Sequence, residues 1–324
     1  MYHDRKNFVV TYIYPMRLIT HDNEEISFTL DEINNCSYNH SLLCRIIGQI
    51  ENIHQEKHII YNICGDGALA IDCAAHLTTN DLLLHINDFL CKLLLGGIYA
   101  ESISAKDLAI GHLHGSKTIW PVDFGHSYNS HLHAGIRMKL TSNIETIMLD
   151  SAAKNALSIS KLKEGLTLGT NIVNAINNLS TLHMLSGITE LRYNNWSSAV
   201  THLWIVAEQI TDFLWERDFV ECKNHDPNIP SRKQTLRQDH RTYSASVKQE
   251  ILYQINVIPQ DVYSIIYAIR KSRNKLIHEG KMVDEAEARN LYIAIDALLR
   301  IATCSEKDRL LPEIASYPNS FFTP

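Results

Sequence analysis

The sequence predicts a mainly α protein in two parts. A helical N-terminal module with a small β element covers residues 1–190, a helical domain covers 191–305, and a tail covers 306–324. Three observations predict it. Apolar residues recur three and four apart through most of the chain after Tyr38. Helix start and stop signals bracket several of these runs, such as Thr-Thr-Asn-Asp before and Gly-Gly after LLLHINDFLCKLLL. β-like runs are confined to the first thirty residues.

The composition sets limits. A chain of 324 residues, 45% hydrophobic and 20% charged, is long enough for two domains with cores. A formal charge of −6 argues against a generally basic nucleic-acid coat, so any RNA contact must come from local patches. Seven cysteines (36, 44, 64, 73, 91, 222, 304) form no CxxC, which suits a reducing cytoplasm and neither a disulfide framework nor a thiolate zinc site. With no signal-peptide core and no run of membrane-spanning length, a soluble cytoplasmic protein without a membrane partner is expected. GxGxxG and Walker-type loops are absent, and no cofactor is expected.

In chain order, FVVTYIYPMRLI and ISFTL, joined by HDNEE, read as a hairpin, an edge element or a cap. Leu42, Leu43, Ile46, Ile47, Ile50 and Ile53 mark one helix, ending in HQEK. GDGALAIDCAAHL, small and apolar, reads as a buried helix. Gly111 to Gly135 is the least regular stretch and holds His112, His114, Asp123, His126, His131 and His133. An HxH pair on a strand puts both rings on one face, as a metal hydrolase would need; a histidine-rich surface loop gives the same pattern. Residues 136–186 read as helices broken at Gly165 and Gly169, with a domain boundary between Gly187 and Asn195.

The helix from Trp196 carries a core stripe of Ala199, Leu203, Val206, Ile210, Phe213 and Leu214, with Glu208 off the stripe. From Lys223 to Lys248, six Lys or Arg stand against two acids, a net charge of +4. Arg232, Lys233, Arg237 and Arg241 in that segment are candidate RNA contacts, with Tyr243 among them; a solvated loop is the plainer reading. After Gly280, Ala288, Leu291, Ile295 and Leu298 line one side of a last helix, and the proline-bearing tail is a strap or a loose end.

The chain is organised around Pro259 to Gly280. Pro259 suits a helix start, Asp261 the positive end of the macrodipole, and Gly280 a left-handed stop. Val262, Ile265, Ile266 and Ile269 form an apolar face. Then the character changes: Arg270, Asn274 and His278 form an i, i+4, i+8 row with Arg273 beside it.

Arg273-Asn274-Lys275-Leu276-Ile277-His278 resembles the Arg-Asn-x-x-x-His motif of the HEPN superfamily of small all-helical domains, many of them metal-independent ribonucleases. The resemblance covers about a third of the chain and implies a bundle of four or five helices over 191–305. It implies that Arg273, Asn274 and His278 are catalytic, supported by Arg270 and Glu279, with Lys275 on RNA. Glu208 either orients Arg273 or His278, as an early-helix acid does in that family, or is an exposed glutamate. HEPN ribonucleases usually pair two motifs across a dimer, so a homodimer through this helix is implied, with Ile269, Leu276 and Tyr292 as candidates for its apolar rim.

The chemistry suits these residue types. RNA carries its own nucleophile, the 2′-hydroxyl, so an imidazole can take its proton, an arginine can meet charge developing on the phosphoryl oxygens, and an amide can fix the phosphate. The layout resembles ApeA-like defence proteins, implying a toxin or effector of antiviral abortive infection whose N-terminal half answers to a protein or nucleic-acid trigger. The alternatives are an inactive HEPN dimerisation module and the histidine-based metal hydrolase.

Overall fold

In the computed structural model, the described residues are 7–13, 17–19, 31–32, 35, 37, 39–54, 57–73, 78–115, 117–123, 125–127, 130–131, 135, 137, 156–223, 225 and 228–314. They divide into two compact units, one of residues 1–93 with 98–167 and one of 94–97 with 168–324.

The first unit is built on a sheet. Strands β1 (Asn7–Tyr12), β3 (Ile46–His54), β4 (Lys57–Cys64), β5 (Ala68–Asp72), β6 (Ala109–His114) and β7 (Thr118–Pro121) form one antiparallel sheet in the order β3-β4-β5-β1-β6-β7, curled into a half-barrel. A second pair, β2 (Arg17–Ile19) and β8 (Ala156–Ser158), is parallel. Helix α1 (His40–Cys44) precedes β3, and α2 (Thr79–Leu95) covers one face of the sheet, where Tyr61 stacks on Phe89 at 4.4 Å and bonds the His85 carbonyl at 2.8 Å. The opposite face carries Phe8, Val10, Cys64, Ala68, Ala70, Ala109 and Ile119 as a second apolar cluster. Beside it, Arg137 is buried and holds Asp66 through two bonds of 2.6 and 2.5 Å, while Tyr12 donates to the same carboxylate.

This overturns the mainly α, helical reading of the N-terminal half. Period was the wrong arbiter for β3: Ile46, Ile47, Ile50 and Ile53 fit a helical spacing, but β-branched residues also fit a strand, and Ile50 and Asn52 are buried where Gln49 and Glu51 are exposed. The Ala68–Ile71 run is a central strand packed on both faces, which erases alternation. β1 is interior, between β5 and β6, where a hairpin, edge or cap was expected. ISFTL lies outside the described residues.

The second unit is helical. Helix α3 (Ile159–Ala175) runs across the division between the units, and Gly165 and Gly169, expected to break helices, are inside it. Next come α4 (Thr181–Arg192), α5 (Trp196–Leu214), a π-helical segment (Trp215–Glu221), α6 (Arg232–Gln238), α7 (Ala245–Gln254), α8 (Gln260–Glu279) and α9 (Glu285–Thr303). Gly187 does not end a domain: it sits within α4, where an added Cβ would lie 2.7 Å from Leu203 Cγ. It is the notch into which α5 packs.

Helix α5 is the centre of this unit, with α4, α7 and α9 against it and Ala199, Leu203, Val206, Ile210 and Leu214 buried. Phe213 leaves the stripe and lies under the Arg217 guanidinium, 5.4 Å from the ring centre. Asp284 and Glu287 form a capping box on α9, satisfying two N-terminal amides. The segment after α9 is a strap: Leu310 and Leu311 donate to Asp296 at 2.9 and 2.8 Å, and Tyr292 donates to the Pro312 carbonyl at 2.5 Å. No described helix is long and apolar enough to cross a membrane.

Candidate functional site

Helix α8 packs on α9 and α7 through one face only. Val262, Ile266 and Ile269 are buried, and Gly280 ends the helix at φ 69° with its amide on the Leu276 carbonyl. Only glycine holds that conformation without strain. At 100° per residue, Tyr263, Tyr267, Arg270, Asn274 and His278 fall within an arc of about 80° that flanks the buried face, its centre about 110° from it.

The exposed end of this helix is chemically open. Asn274, Lys275, His278 and Glu279 are exposed, and Arg270 and Arg273 half-exposed. Among the described residues no ion pair reaches Arg270, Lys271, Arg273, Lys275 or His278. Several cations elsewhere in this unit do have carboxylates: Arg217 pairs with Asp218, Lys233 with Glu221, Lys248 with Asp212, Arg289 with Glu285 and Arg300 with Asp296. The nearest acid of α9, Glu287, is engaged with Ser272 and with its own helix cap. Cations in no ion pair, with Glu279 the one acid among residues 270–280, are suited to an anion from outside.

Glu208 makes neither of the family-implied contacts. Its Oε1 accepts from Trp204 Nε1 at 2.7 Å, one turn back on α5, and no hydrogen bond joins it to Arg273 or His278. Of the expected rim, Ile269 and Tyr292 are buried in the protomer and do not reach the surface, while Leu276 is half-buried. Ile277, Met282 and Ile293 are the exposed apolar side chains near that end of α8 and along α9.

The basic segment is folded and partly self-neutralised. Trp215 donates to the Leu236 carbonyl at 3.1 Å and stacks on Phe219 at 4.2 Å, which docks α6 against the π-helical segment. Lys233 pairs with Glu221 at 2.7 Å, Arg237 with Glu216 at 2.5 Å and also with Glu221. These carboxylates lie outside the Lys223–Lys248 window over which the +4 was counted. Lys248 is buried on Asp212. Arg232 and Arg241 make no ion pair among the described residues.

Of the histidines, His112 and His114 are on β6, facing Trp120 and Thr118 across to β7. His126, Asp123 and His131 are exposed, and His133 lies outside the described residues. No three metal-ligating side chains converge among the described residues.

One group escaped the sequence reading. Tyr253 of α7 stacks on Tyr263 of α8 at 4.7 Å and 9°, and Tyr267 follows one turn on, 6.1 Å from Tyr263. Arg270 and Lys271 lie 5.0 and 4.3 Å from the centre of the Tyr267 ring. Tyr263 donates to Glu250, which pushes its phenol up to about 12. Glu250 is held below the usual carboxylate range by Tyr263 and then Gln254. Tyr267 shifts the other way: a hydrogen bond with Lys271 and the ammonium's charge lower it. The i, i+4 spacing of Tyr263, Tyr267 and Lys271 was the available signal.

No family model, curated protein or solved structure matches this chain. The functional reading therefore stands on the chemistry of α8.

Proposed function

We propose that the chain is a metal-independent endoribonuclease of the HEPN type, with Arg273, Asn274 and His278 as its working groups. The observation that supports it is the run of Arg270, Arg273 and Lys275, none of them in an ion pair among the described residues, beside an exposed imidazole. In the reaction, the 2′-oxygen attacks phosphorus and its proton passes to an imidazole. The P–O5′ bond breaks, the leaving oxygen takes a proton, and the products are a 2′,3′-cyclic phosphate and a 5′-hydroxyl. Arginine's fork meets the charge that builds on the non-bridging oxygens.

One imidazole cannot act as base and leaving-group acid at once, so a second copy supplies the other. In this reading the N-terminal unit restrains or triggers the nuclease, in the manner of an abortive-infection effector. Purified protein incubated with 5′-labelled RNA and EDTA tests it. Cleavage to cyclic-phosphate ends, lost in His278→Ala and Arg273→Ala, supports the reading. Equal cleavage by the His278→Ala protein overturns it, and a dimer inactive on every RNA leaves the dimerisation-module reading.

A further inference from the structure

We propose that Tyr267 is a base-stacking subsite, so that the substrate enters as unpaired single-stranded RNA along the exposed side of α8. The proposal rests on the ribonuclease reading for the identity of the ligand, and on four observations for the site.

Tyr267 is 39% exposed, on the stripe that ends at Asn274 and His278. Its ring is backed by a ladder, since Tyr263 follows it at 6.1 Å and Tyr253 stacks on Tyr263 at 4.7 Å. The ladder is fixed, because Glu250 holds the Tyr263 hydroxyl and Gln254 holds Glu250 at 3.0 Å. A rigid aromatic at a surface loses little entropy on binding, which is what a stacking platform requires.

The fourth observation is the charge beside it. Arg270 and Lys271 rest over the Tyr267 ring, and neither has an ion pair among the described residues. An exposed cation–π contact is weaker than base stacking on the same ring. A nucleobase can therefore displace them, leaving both cations to turn onto the flanking phosphates. Glu250, the carboxylate nearest this ladder, is tied to the Tyr263 hydroxyl and Gln254 and offsets part of the Arg270 charge, so Lys271, Arg273 and Lys275 are the cations left to meet the strand without an ion pair among the described residues. From Tyr263 to His278 the stripe is ~22 Å long, the span of a few nucleotides. A base on Tyr267 would thus place the phosphates that follow it toward Arg273 and His278. A paired duplex cannot use the ring, since its bases are stacked on one another.

The test is equilibrium binding of a fluorescein-labelled oligouridine and of an RNA hairpin closed by a non-nucleotide linker, so that every nucleotide is paired, to full-length wild type, Tyr267→Ala, Tyr267→Phe, Tyr267→Trp and His278→Ala. Tyr267→Ala should weaken oligouridine binding roughly 5- to 100-fold, with Tyr267→Phe close to wild type and hairpin binding unchanged. The Tyr267→Trp indole should be quenched by oligouridine. Equal loss for oligouridine and hairpin, or unchanged oligouridine binding by Tyr267→Ala, overturns the subsite. The two readings fail separately. Tyr267-dependent binding without cleavage keeps the subsite and removes the nuclease, whereas His278-dependent cleavage with an unchanged KM in Tyr267→Ala does the reverse. A wild type that binds neither RNA overturns both.

Discussion

Arg237 lies along Glu216, its Nη2 2.5 Å and its Nε 3.0 Å from the same carboxylate oxygen. The pairing means that the most basic stretch of the chain is not its most available one. Arg237 and Lys233 already have carboxylates, whereas the cations of α8 do not. Arg237→Gln and Lys233→Gln should leave the salt dependence of RNA binding unchanged. Lys275→Gln and Arg270→Gln should each flatten its slope by roughly 0.7. Affinities measured over a series of NaCl concentrations separate the two sets, and a slope that moves with Arg237 would return the segment to the interface.

The two tyrosines of α8 should titrate in opposite directions. Tyr263, bonded to Glu250, is pushed up to about 12, and Tyr267, beside Lys271, is lowered. In ultraviolet titration at high pH, Tyr267→Phe should remove an early phenolate and Tyr263→Phe a late one. Tyr263 is raised and Glu250 lowered in the folded chain, so the bond between them contributes stability that is whole from neutral pH to about pH 10, fades as pH rises toward 12, and fades again in acid as Glu250 is protonated. The stability difference between wild type and Tyr263→Phe should accordingly shrink from pH 8 to pH 11.

What the sequence revealed divides along physical lines. Helices α5, α8 and α9 each bury one face, so their stripes were readable, as were the Pro259 start and Gly280 stop of α8. The sheet was not. β5 is apolar on both faces, β3 carries isoleucines whose spacing satisfies either period, and KHIIYNIC drew no assignment although β4 supplies Tyr61 and Ile63 to the core. Three glycines that looked like punctuation, Gly165, Gly169 and Gly187, lie inside helices, because glycine also marks close approach. At the site, the Arg273–His278 row was visible as a helical repeat. The neutralisation of Lys233 and Arg237 was not, because Glu216 and Glu221 precede the counted window.

Gly187 gives a direct test of that close approach. A methyl there would stand 2.7 and 2.8 Å from Leu203 Cγ and Cδ2, both fully buried. Overpacking costs about 1–3 kcal/mol, and the gain in helix propensity returns about 0.5–1 kcal/mol. Gly187→Ala should therefore be less stable by up to about 2.5 kcal/mol, read as a lower urea midpoint. A more stable variant would show that α4 and α5 part without cost.

Thiol reactivity should follow burial. Burial pushes Cys44 up to about 12 and Cys64 up to about 11, so neither is a thiolate at neutral pH. Cys222 and Cys304 are exposed. In a Cys36→Ser background, since Cys36 is outside the described residues, Ellman's reagent should react first with Cys222 and Cys304. Cys44, Cys64 and Cys91 should react only after denaturation, and early reaction of Cys44 or Cys64 would mean that the sheet opens readily.

The last prediction concerns the second copy that the proposed chemistry needs. Ile269 and Tyr292 are committed to the protomer core, so a two-fold contact beside the motif must use other apolar groups. Ile277 at 49%, Met282 at 74% and Ile293 at 54% exposure are available, and Ile277 lies one residue from His278. The same location brings like charges together, because Arg273 and Lys275 would approach their symmetry mates. Glu279, exposed just beyond His278, relieves part of that repulsion, and a bound RNA phosphate relieves more. Dimers should thus be weaker at low salt without RNA and tighter with it. Ile277→Glu adds charge to an exposed position, so the fold should hold while the dimer and the cleavage are lost together. Heterodimers of wild-type and His278→Ala chains keep only one intact imidazole, so an excess of the His278→Ala chain should suppress wild-type activity. Sedimentation velocity with and without oligonucleotide, beside the mixing assay, decides the matter. Full activity in an isolated Ile277→Glu monomer would show that one chain supplies every group the cleavage needs.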